Sequence, residues 1–199
     1  MKRTVTFEQY AILSPGETPD VSFVPPLVRR RLSPLQKIYF ALANNVEKSP
    51  AGNAVFSTRD GEDTLTHRLV DEFNEDGTVS PHRFSTSVYN AAPGLWSVFT
   101  KNTASYTAVA SGEDSIECGL LEAVLSKVPG LYVYAEETGG GYGAAIFMTD
   151  GGSGRRVEVV EGSPASDSIT FARLGQFLKG ETSVLEGRWI TLRDVSCAE

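Results

Sequence analysis

Between Ser105 and Leu125 the sequence runs SYTAV-ASG-EDSIECGLLEAVL, a strand-like segment turning at once into a helix with almost no polar face. From Ile116, apolar or small side chains occupy Gly119, Leu120, Ala123 and Val124, and Cys118, Leu121 and Leu125 widen the stripe. A helix apolar around most of its circumference has to lie between layers of other structure. That requirement points to a layered fold.

The longer stretch from Ser80 to Ala123 reads as an apolar helix, a short buried strand at Ser105 to Val109, a tight turn and this second helix. The turn Ala110-Ser111-Gly112 has little steric bulk and lets the chain bend sharply into the helix. It presents Glu113 at the helix mouth, where an enzyme could place a nucleophile. Glu113, Asp114 and Glu117 also crowd the first turn, where the helix dipole favours carboxylates by about 0.3–1 kcal/mol each. Glu113 is therefore open to two readings, a filled nucleophile position or a first-turn acid.

Other elements fit a layered α/β domain. Thr4–Leu13 suits a strand with one irregularity, and four prolines between Ser14 and Pro26 mark a loop. Ser33-Pro34 opens a helix with Ser as N-cap and Pro at the first helical position. Leu35, Ile38, Tyr39, Leu42 and Val46 follow at helical spacing. Ala54–Ser57 suits a buried strand, Asp63–Phe73 an amphipathic helix, and Glu75-Asp76-Gly77 a turn. Gly130–Ala135 has strand composition. The glycine-rich Asp150–Gly154 turn is expected to join Ala144–Met148 and Arg155–Val160 into a hairpin. Asp167–Leu178 reads as a helix and Arg188–Leu192 as a last strand. Helices and strands alternate early, so the sheet is expected to be mixed.

At 199 residues the chain suits one domain. A net charge of −7 argues against a nucleic-acid surface, and Arg29-Arg30-Arg31 reads as a solvated or interface patch. No stretch approaches the ~18 apolar residues of a membrane span, and the N-terminus has no secretory signal, so a cytoplasmic location is expected. Cys118 and Cys197 have no metal or redox spacing, and Cys118 suits a small core residue. His67, near Asp71 and Glu72, lacks a serine or cysteine in a suitable context and reads as a surface or interface residue. The Gly139–Gly143 run lacks the GK[ST] ending of a phosphate loop, and Asp150-Gly151-Gly152 lacks the alternating acids of a calcium loop. No metal or cofactor is expected.

Several of these residues carry a family resemblance. Ser80-Pro81, Phe84-Ser85-Thr86-Ser87-Val88-Tyr89-Asn90-Ala91, Gly94-Leu95-Trp96-Ser97-Val98, Ser105 to Val109 and Gly119-Leu120-Leu121-Glu122-Ala123 resemble the N-terminal half of a β-ketoacyl synthase. The match is best to short chain-length-factor-like proteins of aryl-polyene-type type II polyketide synthases. It is strong over about Arg29 to Glu137 and weak from Gly139 onward. The resemblance implies an α/β thiolase-like half-fold, a mixed β-sheet layered with helices. It treats 1–199 as one domain with a divergent hairpin, helix and strand at 139–199. It places the family's nucleophilic cysteine at Glu113, which cannot form a thioester. The family's histidine pair comes from a second half that this chain lacks, since His67 and His82 both precede the turn.

The implied role is a non-catalytic subunit that pairs with a full-length ketosynthase, shapes its acyl tunnel and meets acyl carrier protein through the complex. Polyketide, aryl polyene or fatty-acid-like biosynthesis is the implied setting. Ser105, Tyr106, Thr107, Ala108 and Val109 would form the strand that joins the partner's sheet. Arg83, Phe84, Val88, Trp96 and Phe99 are candidates for tunnel floor or interface, with packing in the chain's own core the alternative for Trp96 and Phe99. A half-fold is also expected to expose a large apolar face that only a partner covers. The rival functions are a stand-alone acyl-thioester decarboxylase or hydrolase using Glu113 as base, and a purely stabilising scaffold.

Overall fold

The computed structural model describes residues 2–46, 52–126 and 130–196, so Cys197 lies outside the described residues. Strand β1 (Lys2–Leu13) is followed by a short helix α1 (Pro26–Arg29) and by α2 (Pro34–Val46). Next come β2 (Asn53–Ser57), α3 (Asp63–Asp76), α4 (Pro81–Ser85), α5 (Ala91–Thr100) and β3 (Tyr106–Val109). Then follow α6 (Ser115–Leu125), β4 (Gly130–Glu136), β5 (Tyr142–Thr149), β6 (Arg155–Glu161), α7 (Phe171–Leu178), β7 (Val184–Glu186) and β8 (Ile190–Asp194). Among the described residues the strands form one sheet in the order β3-β2-β4-β5-β1-β6-β8-β7. β3, β2 and β4 are parallel, and every other pairing is antiparallel.

Local chemistry explains several boundaries. At α2, Ser33 Oγ accepts from Gln36 N and Gln36 Oε1 accepts from Ser33 N, a reciprocal cap. Gly77 closes α3 in the left-handed region, its amide donating to Phe73 O. The last helix begins at Phe171 rather than Asp167, because Thr170 is its N-cap. The strand β7, which sequence patterning did not signal, pairs with β8.

Two apolar cores flank the sheet. On one face α2 and α5 bury Tyr39, Phe40, Leu42 and Trp96 against Phe56, Leu131 and Val133. On the other, Ile116, Leu120 and Val124 of α6 pack with Tyr132, Ile146 and Val157. Buried on both faces, β2 and β4 read as nearly continuous apolar runs. Helix α6 sits close to the sheet because Gly119 has no side chain. A Cβ there would lie 2.5 Å from the Ser57 side chain. Ser57 Oγ and Tyr132 Oη are 2.8 Å apart, and the phenol donates to Ile116 O at 3.1 Å.

Two further expectations are corrected. β5 and β6 are not hairpin partners, because β1 runs between them. Leu13 to Thr6 of β1 face Gly143 to Thr149, whereas Phe7 to Lys2 face Arg155 to Val160. The 150–154 turn crosses β1 beside its irregularity at Phe7/Gln9, and any side chain at Gly154 would strike the Phe7 carbonyl. Strand β3 is not buried. It is the sheet's edge, with Tyr106 and Thr107 exposed. Helix α6 lies between layers, as its apolar circumference requires. Residues Ile169, Leu174, Phe177, Ile190 and Leu192 of the same chain complete its core, and Ile116, Leu120 and Val124 are buried.

Candidate functional site

The parallel strands β2, β3 and β4 all end on one side of the sheet, the side where open α/β sheets hold their sites. There the chain turns from β3 into α6 through Gly112, whose φ of 59° lies in the left-handed region. Ser111 N donates to Ser115 Oγ at 2.9 Å, and that hydroxyl donates to Gly112 O at 2.8 Å. These bonds lock the turn and hold Glu113 at its tip, exposed to solvent.

Beside Glu113 opens a cleft of about 360 Å³, walled by Ile116, Tyr134, Tyr142 and Phe171 with Arg59 and Arg188 at its sides. The Tyr142 ring lies 4.8 Å from Phe171 and 6.3 Å from Tyr134. Burial pushes the Tyr134 phenol up, and nearby Glu136 adds to the effect. Burial also raises Glu136, against the opposing pull of the Arg59 and Asp60 amides and the Thr58 hydroxyl. Neither histidine lines this cleft: His67 is exposed on α3, 3.2 Å from Asp63 Oδ1, and His82 is exposed on α4.

Two acids of the α6 entrance instead fasten the C-terminal segment. Glu117, fully buried, accepts from Ile169 N at 2.8 Å, Trp189 N at 2.7 Å and Ile190 N at 3.3 Å. Asp114 accepts from Ser168 Oγ at 2.5 Å and Trp189 Nε1 at 2.9 Å, and these bonds hold its carboxyl below the usual range. Glu117 stands in the sequence as one more first-turn acid. Only the tertiary fold brings the three amides to it.

The candidate interface residues divide into two groups. Trp96 is 4% exposed and packs edge-on to Phe40, with Phe99 and Phe23 completing the cluster. It fills the chain's own core, and Phe99 is half-buried beside it. By contrast Phe84 (60% exposed) and Val88 (44%) lie on the surface, as does Arg83, which pairs with Glu72. Val98 (77%) and Tyr106 are also exposed, and both share a depression with Val88. This depression, of about 520 Å³ and lined also by Leu95, runs to the outer side of β3. Val98 was legible as an extra apolar position, since AAPGLWSVFT has only Ser97 and Thr100 as polar side chains to turn outward.

Among the described residues, no strand pairs with the outer edge of β3 along the same surface. Ser105 O accepts from Ala54 N and Val109 O from Thr58 N, each on the β2 side, while Ser105 Oγ donates to Asn53 Oδ1. In parallel pairing alternate residues bond to one neighbour. Tyr106 and Ala108 therefore direct their N–H and C=O groups away from β2, and Thr107 directs its own towards it.

Among the described residues, no group of three or more His, Cys, Asp or Glu side chains could hold a metal ion, and no helix is long and apolar enough to cross a membrane. The family described as β-ketoacyl synthase, N-terminal domain, matches residues 6–136. No curated protein sequence matches the chain. Among solved structures, the ketosynthase (ApeO) in complex with its chain length factor (ApeC) from Xenorhabdus doucetiae contains a chain of the same fold. The superposition has a TM-score of 0.76 at 17% identity and covers 95% of this chain and 98% of that one. The mixed sheet and its helix layers are thus of the thiolase-like ketosynthase type, and the likeness runs past residue 136 into the C-terminal segment.

Proposed function

The chain belongs to the β-ketoacyl synthase N-terminal domain family, and on that premise we propose that it is a non-catalytic, chain-length-factor-like subunit. It pairs in the cytoplasm with a full-length ketosynthase of polyketide, aryl polyene or fatty-acid-like biosynthesis, and meets acyl carrier protein through that complex. The observation that carries this reading is the open edge of β3 beside an exposed apolar surface. An unpaired edge strand is a template for another chain's strand, and contiguous exposed apolar area marks an interaction surface. Ser105 to Val109 add a strand to the partner's sheet. Phe84 and Val88, with Arg83 at the rim, face the partner's acyl tunnel. Trp96 and Phe99 support that surface from beneath.

The placement of Glu113 favours this role over a stand-alone decarboxylase or hydrolase, since the carboxylate is exposed and no histidine lines its cleft. Co-expression with a cognate ketosynthase tests the pairing. The two chains are expected to co-purify, and a chain that elutes alone whatever ketosynthase is supplied would overturn it. Product length then separates tunnel-shaping from scaffolding. Phe84→Ala and Val88→Ala are expected to shift the length distribution in an intact complex. An unchanged distribution would leave only the stabilising role.

A further inference from the structure

The chain carries a net charge of −7, yet one groove gathers positive charge. It lies between the start of α2, α3 and α4, has a volume of about 480 Å³, and is lined by Arg30, Arg31, Lys37, Arg68, His82 and Arg83. No Asp or Glu contributes to its wall. Arg83 is paired with Glu72 at the rim. The nearest buried acid, Glu62, lies behind Ser33 and Gln36 and is hydrogen-bonded to both. Arg30, Arg31 and Arg68 are exposed, and among the described residues these three and Lys37 make no ion pair with a carboxylate. Cations from separate elements that converge on one concave space repel one another until an anion neutralises them.

We propose that this groove is a binding site for a small multiply phosphorylated ligand, its phosphates gripped by Arg30, Arg31 and Arg68. Guanidinium groups match phosphate oxygens in forked, two-point geometry, and a ligand with several phosphates can neutralise more than one of them at once. The groove's volume falls within the ~300–1,000 Å³ typical of small-molecule sites. Its concavity favours such a ligand over the convex surface of an acidic protein. His82 and Thr86 line both this groove and the apolar depression beside β3. A ligand here would therefore sit at the margin of the proposed interface, although the inference does not depend on that interface.

Calorimetric titration of the purified full chain with pyrophosphate and with inorganic phosphate, at fixed ionic strength, tests the assignment. Saturable binding is expected, tighter for pyrophosphate. The Arg31→Ala/Arg68→Ala double variant is expected to weaken it by about tenfold or more while leaving the thermal melting curve unchanged. The Arg68→Lys variant, which keeps the charge and loses the fork, should fall between. Non-saturable binding, equal affinity for pyrophosphate and inorganic phosphate, or full affinity in the double variant would overturn the proposal. So would a variant that loses capture of an acidic carrier protein when the unmodified chain binds no pyrophosphate, because the groove would then be a protein-docking surface. The double variant is still expected to co-purify with the ketosynthase, so failure here and failure of the pairing are told apart.

Discussion

The two faces of the segment from α5 to α6 present the same kind of sequence and meet opposite fates. Helix α6 is apolar nearly all round. Its Ile116, Leu120 and Val124 are covered by the sheet and by the chain's own C-terminal segment, which the Glu117 bonds fasten, while Leu125 in its last turn stands exposed. Helix α5 is equally apolar, yet Val98 stands exposed and the adjoining edge of β3 is unpaired by any described strand. Apolar composition alone therefore does not locate a partner surface. What distinguishes the two is whether the same chain supplies hydrogen-bond donors and side chains to finish the job. The C-terminal residues do so at α6, and no described segment does so at β3.

The contrast breaks first at Glu117. Replacing it with Ala strands three amides, each costing about 1–3 kcal/mol when buried and unpaired. Glu117→Ala is expected to lower stability by about 3–6 kcal/mol in urea unfolding and to expose the α6 face to hydrophobic dyes. A loss below about 1 kcal/mol would mean that the C-terminal cover holds without its staple.

Trp96 tests the other helix from inside. Trp96→Ala is expected to cost about 3–5 kcal/mol through the cavity it leaves. If denaturation shows little change while the complex's product length moves, Trp96 belongs to the tunnel and not to the core.

Ala108→Pro sharpens the difference at the edge. Proline there removes an N–H that points away from β2, so the isolated chain should lose less than about 1 kcal/mol. Co-purification with the ketosynthase should fall steeply, and Val98→Asp should act in the same direction. Retained pairing in both variants would place the interface elsewhere.

The smallest effect is one of pH. Burial pushes the Glu62 carboxyl up to about 7 from an ordinary value of 4.5, with Glu137 adding to the rise. The folded state therefore holds a proton that the unfolded chain releases between those values. That stabilisation is complete below about pH 4.5 and fades as pH rises through 7. Its upper bound is about 3 kcal/mol. Urea midpoints of the Glu62→Gln variant should vary less between pH 5 and 8 than those of the unmodified chain. Parallel curves would remove Glu62 from the account.

Local signals carried the sequence reading a long way. The Ser33-Pro34 start, the helical spacing through Val46, the Gly77 stop and the small-residue turn before α6 all use contacts within a few residues. What sequence could not supply was adjacency. The alternation of Val157 and Val159 fits any neighbour, so it could not tell that β1 would lie between β5 and β6. The amides on Glu117 come from residues 52, 72 and 73 positions away. No periodicity records such distances. The site followed the same division: the turn and the burial of α6 were legible, whereas the exposure of β3 at the sheet's edge and the burial of Trp96 depended on the whole fold.

The position of β1 also governs how the molecule can be made. Strand β1 leaves the ribosome long before its two neighbours, with Thr6 opposite Thr149 and Lys2 opposite Val160. The middle of the sheet must wait for the strands that end at Thr149 and Glu161, and such long-range closure slows folding. Nascent chains halted before residue 149 should remain fully sensitive to protease, and protection at that length would show that the early segments assemble without their central strand. During that wait the edge of β3 and the apolar surface of α5 have no finished sheet behind them, which makes synthesis alongside a partner an advantage as well as a means of assembly.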